Sequence, residues 1–353
     1  MKKKAIISLV LSLSLCGCQG WSLPETVVKE QTEVQELTLA IPSESTEMFR
    51  EVARELSRRA MDFADNSLSI EIVEAKNIWE VLREGSADLA VCENRRALQD
   101  AESLGDLNYP EVYVKEEVSE EEQVSREIPQ IRGEAAMFAM LDYPFFFRDG
   151  ECIIGGGNNA DVLAALNYSL PEDFGMELQR LSFNGAYHWV TNNYEQLESY
   201  LLEYSISDLI QRFVAQGEPL RDPWTRLEDE GLYIREVDLT NTKTDLSEKT
   251  LLLNGGRYKI IDIFANPESL SQLTAKQQAA IEEAIVYSGG YSKTLADDHQ
   301  ATILRQLEED AVTMVSIDID EWYTAFQKLY RSGSCEINAD FAELLWDKTE
   351  RFH

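Results

Sequence analysis

The sequence predicts an α/β protein of two lobes, built on mixed sheets flanked by helices, with a long helix near the C-terminus. Three observations carry this. Residues 37–92 alternate between strand-like and helix-like periodicity in the order βαβαβ, the pattern of a mostly parallel sheet covered by helices. About 336 residues follow an N-terminal leader, more than a single growing hydrophobic core accommodates. The longest helical pattern opens at Thr274-Ala275-Lys276-Gln277, a capping box, and runs through Ile281, Ile285 and Leu295 toward Leu307.

The elements follow in order. Lys2, Lys3 and Lys4 precede an apolar run, Ala5 to Leu15, that is too short to span a bilayer, so residues 1–17 are expected to be a signal peptide. Leu15-Cys16-Gly17-Cys18 looks like a lipobox. Cys18 is the expected lipidation site and new N-terminus, because Cys16 would place bulky Leu15 at a cleavage bond that favours small residues. Residues 18–36 are polar and Glu-rich, as expected of a flexible tether. Leu37 to Ile41 alternates as a strand until Pro42 and Ser43 break it. Phe49, Val52, Ala53, Leu56, Ala60 and Phe63 then mark a helix capped by Ser43 or Ser45. Ser67 to Val73 reads as a strand, Asn77 to Leu82 as a capped short helix, and Ala87 to Cys92 as a buried strand.

Residues 111–134 are dominated by glutamate and valine and are expected to form a solvated insertion. A calcium loop would need alternating oxygen ligands and a turn glycine that are missing here. Farther on, Leu178 to Asn193 reads as a strand pair, Leu201 to Ile206 as a strand, and Leu251 to Ala265 as a long strand region interrupted at Gly255-Gly256. Gly289-Gly290 is expected to bend the long helix.

Charge narrows the function. The chain carries −32, and loss of residues 1–17, which hold three lysines and no acid, makes this −35. Nucleic acid is thereby excluded as a partner, since it demands a basic face. Such a charge also repels anionic headgroups, so attachment to a membrane must come from the lipid on Cys18. Cys92, Cys152 and Cys335 allow one disulfide and require none. His188, His299 and His353 are the only histidines, and none stands in a nucleophile or metal motif. Gly155-Gly156-Gly157 lacks the lysine of a phosphate loop and reads as a turn. An enzyme is not expected, nor a cofactor or metal.

One string is more specific. Leu141-Asp142-Tyr143-Pro144-Phe145-Phe146-Phe147-Arg148-Asp149 resembles the "lPFLFRD" signature of the solute-binding subunits of tripartite ATP-independent periplasmic (TRAP) transporters. Leu82 to Val91 is similar to that family's "l..G.iDla" segment, Asn184 to Asn192 to its "G.R..tn" strand, and Leu270 to Tyr291 to its "sLp.e.q.ai.eaa" segment. The resemblance covers residues 37–350 and implies a periplasmic-binding-protein-like fold that closes over a small solute, an organic acid or a sugar, and hands it to membrane permease subunits. It implies lobe I at 37–178 plus about 236–268, and lobe II with the long helix at 179–235 plus about 269–353. It places the protein on the extracytoplasmic face of a membrane, held by its lipid.

The family's ligand-holding arginines align here with Tyr187 and Tyr204. A neutral phenol does not replace a bidentate guanidinium. Two readings stay open: a neutral solute such as a sugar, or a degenerate binding-protein-like surface protein acting as a sensor without a transport role. The remaining candidates are Ser43, Glu44, Glu93 and Asn94, which follow parallel strands, together with Asn184, Asn254 and Asn266 on family position.

Overall fold

The computed structural model describes residues 34–108, 132–133, 135–171, 174–203, 234–239, 246, 249–332 and 337–350. The chain divides into residues 1–33 and 34–353, and all described residues belong to the second unit. The signal peptide, Cys18, most of the tether, most of the Glu-rich insertion, Tyr204 and Cys335 lie outside the described residues.

The N-terminal third folds as its periodicity dictates. Strands β1 (Gln35–Pro42), β2 (Leu68–Ala75) and β3 (Leu89–Glu93) lie parallel in the order β2-β1-β3, connected by α1 (Glu47–Phe63) and α2 (Ile78–Glu84). Leu37, Leu39 and Ile41 pack with Phe49, Val52, Leu56 and Ala60 of α1. Ala40, on the other face, joins Trp79 and Leu82 of α2. Gly85 closes α2 in the left-handed conformation (φ +62°), which a residue with a Cβ adopts only at a cost.

Next come α3 (Asn94–Leu104), the two-residue strands β4 (Leu107–Asn108) and β5 (Arg132–Gly133), and the short helices α4 (Ala136–Ala139), α5 (Gly150–Ile154) and α6 (Ala160–Ser169). The rest comprises β6 (Glu177–Thr191), α7 (Tyr194–Glu203), β7 (Ile234–Asp238), β8 (Thr250–Ala265), α8 (Pro267–Ser271), α9 (Ala275–Glu309), β9 (Thr313–Ser316), α10 (Ile319–Arg331) and α11 (Ala339–Thr349).

One seven-stranded mixed sheet runs β2-β1-β3-β8-β6-β7, with β9 also on β8. Long strand β8 takes β3 as an antiparallel neighbour at Ile261–Ala265 and β9 as a parallel neighbour at Thr250–Leu253. Along its other edge β6 pairs with both ends of β8, with register shifts between Phe183 and Ala186 and between Tyr187 and Trp189. The 35-residue helix α9 packs on α1 and β6. Its capping box is formed: the Thr274 hydroxyl accepts from Gln277 N, and the Gln277 side chain accepts from Thr274 N at 3.0 Å.

The TRAP-like string Tyr143-Pro144-Phe145-Phe146-Phe147 is an aromatic hub. Phe145 stacks on Phe326 at 5.0 Å and on Trp322 at 6.1 Å, with Trp189 edge-on at 5.9 Å. Its backbone is left-handed (φ +51°), its N–H donates to Gly256 O, and its ring fills the space a Cβ on Gly256 would need. A left-handed phenylalanine persists only where packing over-determines it. Tyr330 donates its hydroxyl to Pro144 O and Trp346 its indole N–H to Phe146 O.

Several expectations are corrected. Gln35 and Glu36, expected within the tether, belong to strand β1 and pair with β2. Thr46, not Ser43 or Ser45, caps α1, since the Ser45 hydroxyl is engaged on Pro42 O at 2.6 Å. Residues 178–193 form no strand pair: β6 is one strand in which Gly185 (φ +111°) serves a bulge rather than a reversal. Residues 201–203 are helical, not a strand, because Asn193 Oδ1 accepts from Gln196 N and starts α7. Arg132 and Gly133, within the expected insertion, pair with β4. Cys92 and Cys152 are free and buried.

Candidate functional site: a crevice at the ends of β1 and β3

Strands β1 and β3 are parallel neighbours, so both deliver their C-terminal ends to one edge of the sheet. Beyond Pro42 the chain turns into α1, and beyond Glu93 it passes straight into α3. Between them lies a cavity of about 220 Å³, lined by Pro42, Glu44, Ser45 and Thr46 on one side and Glu93, Arg95, Arg96 and Gln99 on the other. Open α/β sheets bind their ligands at this edge.

Behind the cavity is an ionic cluster that crosses the sheet. Arg257 of β8, 2% exposed, reaches Asp142 at 3.3 Å and Glu236 of β7 at 2.9 Å. Arg95 shares both carboxylates, at 3.4 Å and 3.2 Å, and lies over the ring of Tyr187 at 4.8 Å. Burial would lower the pKa of Arg95, but Asp142, Tyr187 and Glu236 outweigh it and hold the guanidinium charged. Burial raises Glu236 above the usual carboxylate range, against the pull of Arg257 and Arg95. Lys259 is paired with Asp238 at 2.9 Å. At the mouth, Arg96 bridges Glu44 and Asp100, each at 3.2 Å.

Comparison with known proteins bears on the fold. No family model matches the sequence, and no curated protein matches it. Solved structures match along nearly the whole chain. A TRAP periplasmic solute-binding protein from Rhodobacter sphaeroides, in an apo open form, superposes with a TM-score of 0.64 at 12% identity, covering 90% of this chain and 100% of that one. One from Ochrobactrum anthropi, with its C-terminus bound in its ligand-binding pocket, gives 0.61 at 14% identity, covering 91% and 97%. A sugar-acid-binding protein from Advenella mimigardefordensis in complex with galactonate gives 0.56 at 12%, covering 91% and 99%. The chain has the fold of the TRAP periplasmic solute-binding proteins.

Within that fold the candidates separate. Glu93 lines the cavity, and Tyr187 lies one layer behind it, under Arg95. The residue directly opposite Tyr187 in the β6–β8 ladder is Arg257. A guanidinium therefore stands beside the phenol, supplied by the neighbouring strand. Ser43 flanks the cavity but its backbone is committed, the N–H to Ala75 O and the carbonyl to Arg50. Asn94 is buried and donates to Asp262 Oδ2 at 3.0 Å. Asn184 is buried in β6 and accepts from Ser292 at 3.3 Å, with its amide nitrogen unpartnered. Asn266 caps α8 and donates to Gly85 O. Asn254 lies in β8.

Arg95, Arg96, Asp142, Glu236 and Arg257 escaped sequence reasoning. A signal existed: Arg257 and Lys259 interrupt an otherwise apolar strand, and charges inside such a run are paired when buried. Among the described residues no group of His, Cys, Asp or Glu could hold a metal ion, and no described helix is long and apolar enough to cross a membrane.

Proposed function

We propose that the chain is an exported, lipid-anchored solute-binding protein of a TRAP-type secondary transporter. In this reading residues 1–17 are removed, Cys18 carries the lipid, and the mature protein stands on the extracytoplasmic face, where it captures a small solute and presents it to permease subunits. The observation that carries it is the cavity at the ends of β1 and β3, inside a fold shared with solute-binding proteins along 90% of the chain. Relatives in fold bind galactonate, orotic acid and sn-glycerol-3-phosphate. In this reading the two lobes are residues 37–178 with about 236–268, and residues 179–235 with about 269–353, joined along the pairing of β6 with β8. Their register shifts, at Gly185 and Gly255 with positive φ, would serve as the hinge.

Binding rather than catalysis fits the chemistry present. Burial lowers the pKa of His188 to about 4, leaving it neutral, and neither of its ring nitrogens has a hydrogen-bond partner. A melting screen of the chain against organic acids, sugars and amines tests the reading, since a solute held only by the folded state raises the melting temperature. A solute at a hundred times its dissociation constant adds about 2.7 kcal/mol. No shift from any class would contradict it. Cys18→Ser should release the protein from the membrane fraction; retention there would contradict the anchor.

A further inference from the structure

The arginines that a carboxylate-bearing solute would need are already in use. Asp142 and Glu236 hold Arg95 and Arg257 within 3.4 Å, in the way the carboxylates of a bound acid would. Arg96 is likewise engaged, by Glu44 and Asp100. To admit an anion at Arg95 or Arg257, the site would have to strip a pair with Asp142 or Glu236, leaving a largely buried carboxylate uncompensated, which is among the costliest changes a protein interior can make.

One lining group is left over. The carboxyl of Glu93 forms no ion pair or hydrogen bond among the described residues, although it lines the cavity. Nor is it used locally: Glu93 is the N-cap residue of α3 but makes no side-chain cap bond. It is half-buried at the cavity wall, and burial raises its pKa, as does Asp238, partly offset by Lys259 and Arg95. Ser45, Thr46 and Gln99 add neutral polar atoms to the same cavity, and no aromatic ring lines it among the described residues. Sugar faces are commonly bound on rings, and quaternary ammonium groups in aromatic cages. Neither has a platform here. A volume of about 220 Å³ is below the roughly 300–1,000 Å³ of drug-sized sites, so the guest is compact.

We infer that the solute is a small cation carrying a protonated, non-quaternary amine, and that Glu93 is the carboxylate that receives it. This rests on the crevice being the solute site. It departs from the acids and phosphates seen in proteins of the same fold, and the difference lies in Asp142 and Glu236, which occupy the guanidinium forks from within. Binding would turn Glu93 from a carboxyl without a close partner among the described residues into half of an ion pair, an interaction that a neutral or anionic solute cannot supply.

Calorimetric titration of the full chain with 1,4-diaminobutane, glucose and galactonate tests this. Saturable binding of 1,4-diaminobutane alone is the expected result. Glu93→Gln should weaken it at least about thirtyfold, the scale for removing one partner of a buried charge pair. Glu93→Asp, which keeps the charge, should retain most of the affinity. Glu71→Gln, on an exposed position of β2, should change nothing. Since Glu93 caps no helix with its side chain, unchanged melting of Glu93→Gln would confirm that the loss is one of binding. Binding of galactonate or glucose without 1,4-diaminobutane would overturn the amine assignment and leave the crevice standing as a solute site. Silence from all three would overturn both.

Discussion

The apolar end of the β6–β8 ladder and the ionic stretch near its middle are built from different chemistry. Where β8 runs between β3 and β6, the stretch Ile260 to Ala265 is apolar apart from Asp262, and every residue of it is at most 3% exposed. Directly before this stretch the same strand carries Arg257 and Lys259, both buried and paired with carboxylates. The apolar end gains stability from area alone, at about 25 cal/mol per Å². The ionic stretch gains little, because desolvating two charges cancels most of their attraction. A protein selected for stability alone would have no use for it. It stands next to the cavity that Arg95 lines, and the substitutions that follow probe the contrast from the largest expected effect downward.

Asp142→Ala should be the most damaging. It removes an anion 5% exposed that two guanidinium groups share, and breaking a buried pair from one side costs about 3–5 kcal/mol. Urea denaturation reads this directly. A loss below about 1 kcal/mol would mean that the cluster is effectively solvated and that the contrast between the two stretches is false.

Asp262 is the exception within the apolar end. Burial raises its pKa from 3.8 to about 7, with the Asn94 amide pulling the other way. Between those two values the folded chain keeps a proton that the unfolded chain has released, so stability falls as pH rises through the window from about 4 to 7. Both Asp262 Oδ1 and Asn94 Oδ1 lack partners, which an amide or a protonated carboxyl at position 262 could supply. Asp262→Asn should therefore be the more stable form at pH 8, by about 2–3 kcal/mol on the linkage scale, and its melting temperature should lose the decline between pH 4 and 7. A wild-type melting temperature flat across that window would contradict the assignment.

Smaller effects come from α9, which spans the ladder. A Cβ on Gly289 would sit 2.5 Å from Arg180 Nε and 2.9 Å from Ser182 Oγ, so Gly289→Ala should cost about 1–3 kcal/mol through overpacking. The same change at Gly290, where a Cβ meets nothing within 4 Å, should be neutral or slightly stabilising. Thr274→Ala removes the capping box of α9 and should cost about 1 kcal/mol, measurable as a small downward shift in melting temperature.

The same contrast explains what could be read from the residues. The βαβαβ start, the apolar stripe of α1, the cap of α2 and the cap of α9 all follow from period and cap chemistry. Glu93 was legible too, because a strand end that runs into a helix names its own edge. The ionic stretch was only half legible: two cations inside a largely apolar run signal buried, paired charges, but the partners Asp142, Glu236 and Asp238 are brought to them only by the fold. Gly185 and Gly255 look like reversals until their positive φ is seen to serve bulges within continuous strands. Asn193, which starts α7, was lost in an alternation that resembled a strand.

Hydrogen–deuterium exchange with and without solute tests the central claim most directly. Saturation with a solute that raises the melting temperature should slow exchange in residues 42–46 and 93–99, which line the cavity, with little change in α11. Protection confined to other segments, with both cavity walls exchanging as before, would contradict the assignment of the crevice as the binding site.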